Sequence, residues 1–163
     1  MVNPVTKASL DALIGKTIAD LCPCGYTNSN DNHCAHFVSH VLGLHYGLLC
    51  STMGTKKGGP GAGVSLRCNE LYNGLSRRGA WGDAPKSNDG LLLFVTLTSN
   101  VTGTRMLTNS HKHVGIVFGG AVYNYGNDAD RVRTESSAAA FKTRLGKVYG
   151  GEDKVSLFYA VPQ

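Results

Sequence analysis

Two short stretches of the chain hold residues that together could perform thiol chemistry. Cys34 stands in NHCAHFV, residues 32–38, and His113 opens HVGIVF, residues 113–118. The first pattern predicts a cysteine at the start of an amphipathic helix, and the second predicts a histidine at the start of a buried strand. A cysteine can attack a carbonyl carbon when a nearby imidazole takes its proton. We therefore predict Cys34 as a nucleophile with His113 as its base, and His111, on the same strand face, is the alternative base.

The helix pattern places Cys34 in the first turn, on the face that would be buried. Apolar residues follow it at the spacing of a one-sided helix: Phe37, Val38, Val41 and Leu42. The positive end of the helix dipole favours a thiolate there. The free N–H groups of the first turn, including that of Cys34, could donate to an oxyanion. The helix alone fits an inert packed cysteine better, and the histidine strand is what favours the reactive interpretation.

A third residue is predicted from the hairpin that follows the histidine strand. Gly119-Gly120 is a two-residue turn signal, so the next strand should run back beside His113. Asn124 then falls near the imidazole, where its carbonyl could fix the tautomer and orientation of the ring. Asn127 and Asp128, just beyond this strand, are the alternatives for that role.

The elements that must position these residues fall into a helical half and a strand half. Helices are predicted over 9–21, 33–45 and 65–78, with a polar connector over 22–31 and a glycine-rich loop over 54–63. Strands are predicted over 91–98, 113–118, 121–125 and 154–161, with a further helix over 137–145. Helices followed by an antiparallel sheet give an α+β fold. At 163 residues, we expect one catalytic domain over 1–163.

Composition and charge limit the class of partner. A net charge of +5 and a pI near 9.0 favour an anionic partner. The basic residues are dispersed without an aromatic-interleaved stripe, so we expect no nucleic acid, whereas a carboxylate-rich cell wall fits the charge. No window approaches the roughly 18 apolar residues of a membrane span. The first seven residues lack the basic-then-apolar pattern of a signal peptide.

The five cysteines leave the redox state of the chain open. If Cys34 is reactive, the other four form at most two disulfides or stay as reduced, packed thiols: Cys22, Cys24, Cys50 and Cys68. Cys22 and Cys24 would bridge each other only with strain.

A zinc-binding module is the competing class of function. Seven cysteines and histidines lie within residues 22–45, and His36 and His40 have the i, i+4 spacing that suits zinc. Their order matches no common zinc motif, and the histidines fall on the polar helix face opposite Phe37 and Val41, where solvation explains them. We therefore predict no metal ligands and no cofactor. A non-catalytic wall-binding protein is the third class.

Several of these motifs together resemble a known family. CAHFV at 34–38, the strand GLLLF at 90–94 and HVGIV at 113–117 before a short hairpin are similar to the NlpC-type and CHAP-type cell-wall peptidases. The small size, the missing signal peptide and the motif N-x-C-A-x-F-V most resemble the type VI secretion amidase effectors, and among them the third group. The resemblance covers residues 20–127. NlpC-type enzymes usually have Asp-Cys-Ser-Gly at the nucleophile, where this chain has HCAH, and their third residue is commonly His.

The resemblance implies a papain-like fold and a peptidoglycan amidase or endopeptidase. Cys34 would attack a peptide carbonyl, His113 would protonate the leaving amine and then activate water, and Asn124 would orient His113. Tyr26 and His33 become candidates for oxyanion or substrate contacts. The expected target is the D-alanyl–diaminopimelate cross-link. The resemblance also implies export without a signal peptide, action in the periplasm of a target bacterium, and a cognate immunity protein as partner.

Overall fold

A six-stranded antiparallel sheet forms the centre of the molecule, which the computed structural model describes over residues 1–56, 58–59 and 61–163. In chain order its strands are β1 Arg78–Ala80, β2 Leu92–Leu97, β5 Lys112–Phe118, β6 Ala121–Gly126, β7 Arg131–Glu135 and β8 Val155–Ala160. Across the sheet their order is β1-β8-β2-β5-β6-β7. A separate ribbon pairs β3 Val101–Thr102 with β4 Arg105–Met106.

Short helices precede and cover this sheet. They are α1 Lys7–Asp11, α2 Cys34–Leu42, α3 Cys50–Met53, α4 Cys68–Gly74 and α5 Ala138–Val148. Single 3-10 turns occupy Ile18–Asp20, Trp81–Asp83, Thr98–Asn100 and Glu152–Lys154. The predicted α+β class is confirmed, with α5 inserted between β7 and β8.

The core has one layer on each face of the sheet. The side chains of strand β2 point alternately into the two layers. Leu92 and Phe94 join the cluster beneath α1, α2 and α4. Leu93 and Val95 pack towards Phe141 of α5 on the other face. All four β2 side chains are fully buried. A strand covered on both faces reads as a continuous apolar run, which is how the sequence identified it.

The hairpin between β5 and β6 is confirmed as predicted. Gly119 and Gly120 have φ of 57° and 79°, so both central residues of the turn are left-handed, as a type I′ turn requires. The flanking pair is Phe118 and Ala121. This turn sets which residues of β6 lie beside the start of β5.

The predicted helix over 9–21 is wrong. Helix α1 ends at Asp11, and the chain turns at Gly15, whose φ is 84°. The Gly15 N–H donates to the carbonyl of Val132, and the Val132 N–H donates to the carbonyl of Lys16. Hydrogen bonding to the edge strand β7 therefore replaces helical bonds in this segment.

Other boundaries differ where tertiary pairing decides them. Helix α2 stops at Leu42 because Gly43 is left-handed, with φ of 70°. Helix α4 ends at Gly74, before the predicted stop, because residues 78–80 pair with β8. In the predicted loop over 54–63, Lys57 and Pro60 lie outside the described residues, and the others carry no helix or strand.

Candidate functional site

Cys34 is the first residue of α2 and is almost fully buried, with 2% of its surface exposed. Its N–H, the predicted oxyanion donor, donates to Asn32 Oδ1 at 3.0 Å. The N–H of His33 donates to Asn127 Oδ1 at 3.1 Å. Two asparagine side chains thus satisfy backbone donors that a helix start would otherwise leave unpaired. An oxyanion would have to replace Asn32 at the Cys34 N–H.

His113 is the second residue of β5 and pairs with Val95, on the sheet face that α5 covers. Its ring lies 5.7 Å from the ring of Phe141. The imidazole Nε2 is 3.1 Å from Asn124 Oδ1. Asn124 lies directly across from Gly115, where an added Cβ would be 2.8 Å from the Tyr123 carbonyl oxygen and 3.1 Å from Asn124 Cβ. Glycine at 115 therefore leaves room for Asn124 to reach His113.

The partners of Asn124 determine the tautomer of His113. Arg144 Nη2 also donates to Asn124 Oδ1, at 3.0 Å, and an arginine can only donate. The Asn124 oxygen is therefore the acceptor for both groups, and His113 Nε2 carries a proton. The other ring nitrogen, Nδ1, is left to exchange a proton with Cys34. Arg144 is held in turn by Glu135, with Nε to Oε1 at 2.5 Å.

The surroundings of the Cys34 sulfur favour its ionised form. Burial alone would raise the pKa of the thiol, but the hydrogen bond from Cys68 and the charge and hydrogen bond of His113 outweigh it. The backbone of Val114 adds a further donor. The pKa of Cys34 consequently lies well below its ordinary value, which is the requirement for a reactive cysteine.

Cys68 is a neighbour of Cys34 that the sequence did not predict. It begins α4, and its Sγ is 3.5 Å from Cys34 Sγ. No disulfide joins any of the five cysteines, so the bridges that the sequence left open are not formed. The hydrogen bond to Cys34, together with burial, raises the pKa of Cys68. Cys68 therefore keeps its proton and donates it to the Cys34 sulfur.

Two adjoining clefts open over the pair. The Cys34 cleft, of about 290 Å³, is lined by Cys34, Cys68, Leu66, Asn69 and Thr108, with Arg67 and Lys112 as its basic groups. The His113 cleft, of about 310 Å³, is lined by His113, Asn127, Asp128, Arg144, Leu145, Val148 and Tyr149. Asn32 and Ser110 line both clefts. The two clefts, which together we call the groove, therefore share part of their lining, with the thiol in one and the imidazole in the other.

The alternative residues make other contacts. Asn127 accepts from the start of α2, and Asp128 is exposed and forms a surface ion pair with Arg133 at 3.7 Å. His111 is exposed, and its ring stacks on Tyr149 with centroids 5.1 Å apart. Of the candidates for a third residue, the structure therefore pairs Asn124 with His113.

Tyr26 and His33, the predicted oxyanion or substrate contacts, are engaged in other interactions. The Tyr26 hydroxyl donates to Asp31 Oδ2 at 2.9 Å, and burial together with this carboxylate raises the pKa of Tyr26 to about 12. His33 is fully buried, with Nε2 at 2.7 Å from the Asn28 carbonyl and Nδ1 at 3.0 Å from His36 Nδ1. Neither residue lines the two clefts. The substrate roles of Tyr26 and His33 stay predictions. Both ring nitrogens of His33 already have hydrogen-bond partners, so neither is free to contact a substrate.

The prediction that the histidines of α2 lie on a solvated face is wrong for His36. Its side chain is fully buried, and that of His40 is half-buried. The connector packs on this face, with the Tyr26 ring 5.6 Å from the His36 ring. Among the described residues, the ligand atoms of Cys22, His36, His40 and Cys50 all lie within 4.8 Å of one another, so these four could hold a metal ion.

Comparisons of the chain with protein-family models, curated proteins and solved structures found no match. In the part of the chain that the structure describes, no helix combines the length and apolar character needed to cross a bilayer. The functional interpretation therefore depends on the geometry around Cys34 and His113.

Proposed function

We propose that the protein is a cysteine amidase that hydrolyses a peptide bond of bacterial peptidoglycan, with the papain-like arrangement of the NlpC and CHAP peptidases. One observation carries the proposal. A buried thiol at a helix N-terminus meets an imidazole whose far nitrogen is hydrogen-bonded to Asn124. Nucleophile, base and orienting group are the three parts that acyl transfer by a cysteine needs.

The reaction follows from the state of each group. The Cys34 thiolate attacks the carbonyl carbon, and the C=O electrons move to the oxygen to give a tetrahedral oxyanion. His113 donates a proton from Nδ1 to the leaving amine as the C–N bond breaks, which leaves a thioester on Cys34. His113 then takes a proton from water, the hydroxide attacks the thioester, and the Cys34 thiolate is released. Asn124 keeps the ring in place throughout.

Asn32 is the candidate for the second oxyanion donor. Its Oδ1 is occupied by the Cys34 N–H, and its side chain lines both clefts. When the oxyanion takes the Cys34 N–H, Asn32 is released beside the reacting carbonyl, where its NH₂ group can donate. Two donors at this point would stabilise the charge that develops in the transition state.

The charge of the groove supports a carboxylate-rich peptide as substrate. Arg67 and Lys112 line the Cys34 cleft, and Arg144 lines the His113 cleft. Stem peptides of peptidoglycan carry free carboxylates on both sides of the D-alanyl–diaminopimelate cross-link, which makes that bond our specific target. On this proposal the chain is an antibacterial effector that acts in the periplasm of a target bacterium and is inhibited by an immunity protein that covers the groove.

Asn124 should contribute to the rate without being indispensable, because it orients His113 and transfers no proton. Loss of a buried hydrogen bond costs about 1–3 kcal/mol, or roughly ten- to hundredfold in rate. We expect kcat/KM of Asn124→Ala to fall by that factor. Asn124→Asp should retain much of the activity, since a carboxylate accepts from both His113 and Arg144. Equal activity of Asn124→Ala and the parent, measured on labelled peptidoglycan, would contradict the role.

Cys68 should shift the pH dependence of the reaction. Its thiol stabilises the Cys34 thiolate, so Cys68→Ala should raise the pKa of Cys34 and move the acid limb of kcat/KM to higher pH. The loss of rate should be confined to acid pH. It should disappear at pH values where Cys34 is ionised in both the parent and the variant. Cys68→Ser, which keeps a hydroxyl donor, should restore most of the parent profile. A Cys68→Ala profile superimposable on the parent would show that the contact has no effect on Cys34.

Digestion of purified peptidoglycan that contains diaminopimelate tests the function itself. Parent protein and Cys34→Ala are incubated with the sacculi, and the products are identified by mass spectrometry after a muramidase has released them. We expect cross-linked dimers to become monomers with the addition of one water per bond. Cleavage within the stem peptide would mean that the target bond is a different one, and the proposed amidase activity would stand. Intact peptidoglycan after treatment with folded parent protein would contradict the proposal. It would favour the alternative class, a non-catalytic wall-binding protein.

A further inference from the structure

Four side chains outside the groove form a compact cluster of metal-ligating groups, which we call the Cys2His2 cluster: Cys22, His36, His40 and Cys50. Cys22 follows the 3-10 turn at 18–20, the histidines lie on successive turns of α2, and Cys50 begins α3. Cys22, Cys50 and His36 are buried, and His40 is half-buried. The cluster joins three consecutive segments of the chain within residues 22–50.

The separations within the cluster match the edges of a tetrahedron around zinc. His36 Nε2 is 3.1 Å from His40 Nε2, and Cys50 Sγ is 3.9 Å from His40 Nε2. With Zn–N of about 2.05 Å and Zn–S of about 2.3 Å, tetrahedral geometry requires N···N of about 3.3 Å and N···S of about 3.6 Å. All four ligand atoms lie within 4.8 Å of one another, so small rotations bring each into range.

A hydrogen-bond relay prepares the His36 ring as a ligand. The Asn28 carbonyl can only accept, so His33 Nε2 donates to it, and neutral His33 then accepts at Nδ1. His36 Nδ1 must therefore donate to His33 Nδ1, which lies 3.0 Å away. Neutral His36 consequently carries no proton at Nε2, on the side of the cluster, where it accepts from His40 Nε2 until a metal ion takes the lone pair. A histidine that donates its second N–H in this way is the usual arrangement behind a metal ligand.

We propose that this cluster is a structural zinc site with Cys22, His36, His40 and Cys50 as its ligands. Two thiolates and two imidazoles in tetrahedral geometry favour zinc over harder cations, and four protein ligands leave no open position for substrate. Binding releases the two thiol protons to solvent, so the complete site is uncharged and suits its buried position. His33 orients His36, which gives it a positioning role in place of a substrate contact.

Such a site would stabilise the part of the molecule with the least regular structure. Between residues 21 and 33, and between 43 and 67, the described chain contains only the single turn of α3 and one isolated β-bridge between Leu49 and Ser65. Zinc would link both segments to α2, the helix that begins with Cys34. The inference is independent of the proposed function, because it depends on no property of Cys34 or His113.

Metal content and cobalt spectroscopy test the site directly. Protein purified without chelators should contain one zinc per chain by elemental analysis. After removal of zinc, Co²⁺ should give the visible bands of tetrahedral coordination and the near-ultraviolet charge-transfer bands of thiolate ligands. Rebinding of zinc should raise Tm. Protein that contains no zinc and gives no tetrahedral cobalt spectrum would overturn the proposal, as would a Cys22–Cys50 disulfide.

Two matched pairs of variants test the ligand set. Cys22→Ser and His40→Ala should both lose the bound zinc. With cobalt, Cys22→Ser should lose most of the thiolate charge-transfer absorbance, and His40→Ala most of the tetrahedral absorbance. The controls Cys24→Ser and His45→Ala should keep one zinc per chain. If Cys22→Ser or His40→Ala fails to fold, His40→Cys is measured in its place. This variant should keep zinc and increase the thiolate–cobalt absorbance, because a thiolate replaces one imidazole ligand. Zinc retained in Cys22→Ser and lost in Cys24→Ser would contradict the assigned ligands.

Discussion

Cys34→Ala should abolish peptidoglycan hydrolysis and leave a folded protein. The substitution removes the atom that forms the thioester, so we expect kcat/KM to fall by at least about 10³-fold, the order seen when a catalytic nucleophile is lost. Removal of one buried sulfur should cost only about 1–2 kcal/mol of folding free energy. The rate is measured as release of soluble fragments from dye-labelled sacculi, and the fold by thermal unfolding of the same samples.

Cys24→Ala is the matched control, since Cys24 is also a buried cysteine and lies outside the groove. It should keep the parent rate wherever it folds. Substantial hydrolysis by folded Cys34→Ala would reject Cys34 as the nucleophile.

His113→Ala should lose activity almost as completely as Cys34→Ala. The imidazole both holds Cys34 ionised and supplies the proton to the leaving amine, so neither residue functions without the other. The double variant should consequently be no less active than either single variant, because residues that act as a unit have non-additive effects. The comparison uses the same labelled sacculi, with all three variants at equal concentration.

His111→Ala is the control for a histidine on the same strand face. His111 is exposed and stacked on Tyr149, so its loss should change the rate little. An inactive His111→Ala together with an active His113→Ala would contradict the geometry of the groove and make His111 the base.

The sequence was sufficient where local pattern and final structure agree. The period of α2, the apolar runs of β2 and β5, and the glycine pair of the hairpin are all short-range signals. Because the turn type fixes the register, the position of Asn124 followed from Gly119-Gly120 alone. The α+β class followed from the order of the same elements.

The parts that the sequence did not predict depend on contacts between distant segments. Cys68 reaches Cys34 because α4 packs beside α2, and Arg144 reaches Asn124 from α5. Neither contact leaves a spacing signal in the chain. The helix predicted over 9–21 is interrupted because hydrogen bonding to β7 outweighs helix propensity at Gly15.

The histidines of α2 show the same limit of helical periodicity. An amphipathic pattern identifies the face that packs on the sheet, and it treats the opposite face as solvated. Here the connector covers that opposite face and buries His36. A search for ligand pairs across segments, such as His36 and His40 with cysteines on both sides of α2, could have suggested the cluster.

The account depends above all on the claim that Cys34 is a thiolate at neutral pH because Cys68 and His113 stand beside it. Thiolate absorbance in the ultraviolet is titrated with pH in a Cys68→Ser background, as the difference between the proteins with and without Cys34→Ala. The background removes Cys68, whose own pKa depends on Cys34, and the difference cancels any contribution from the Cys2His2 cluster. A depressed pKa means that the thiolate is present at neutral pH and is lost only as the pH falls through that lower value. We predict a midpoint well below the ordinary thiol value of about 8.5, and a higher midpoint in His113→Ala. A midpoint at or above the ordinary value, unchanged in His113→Ala, would contradict the account.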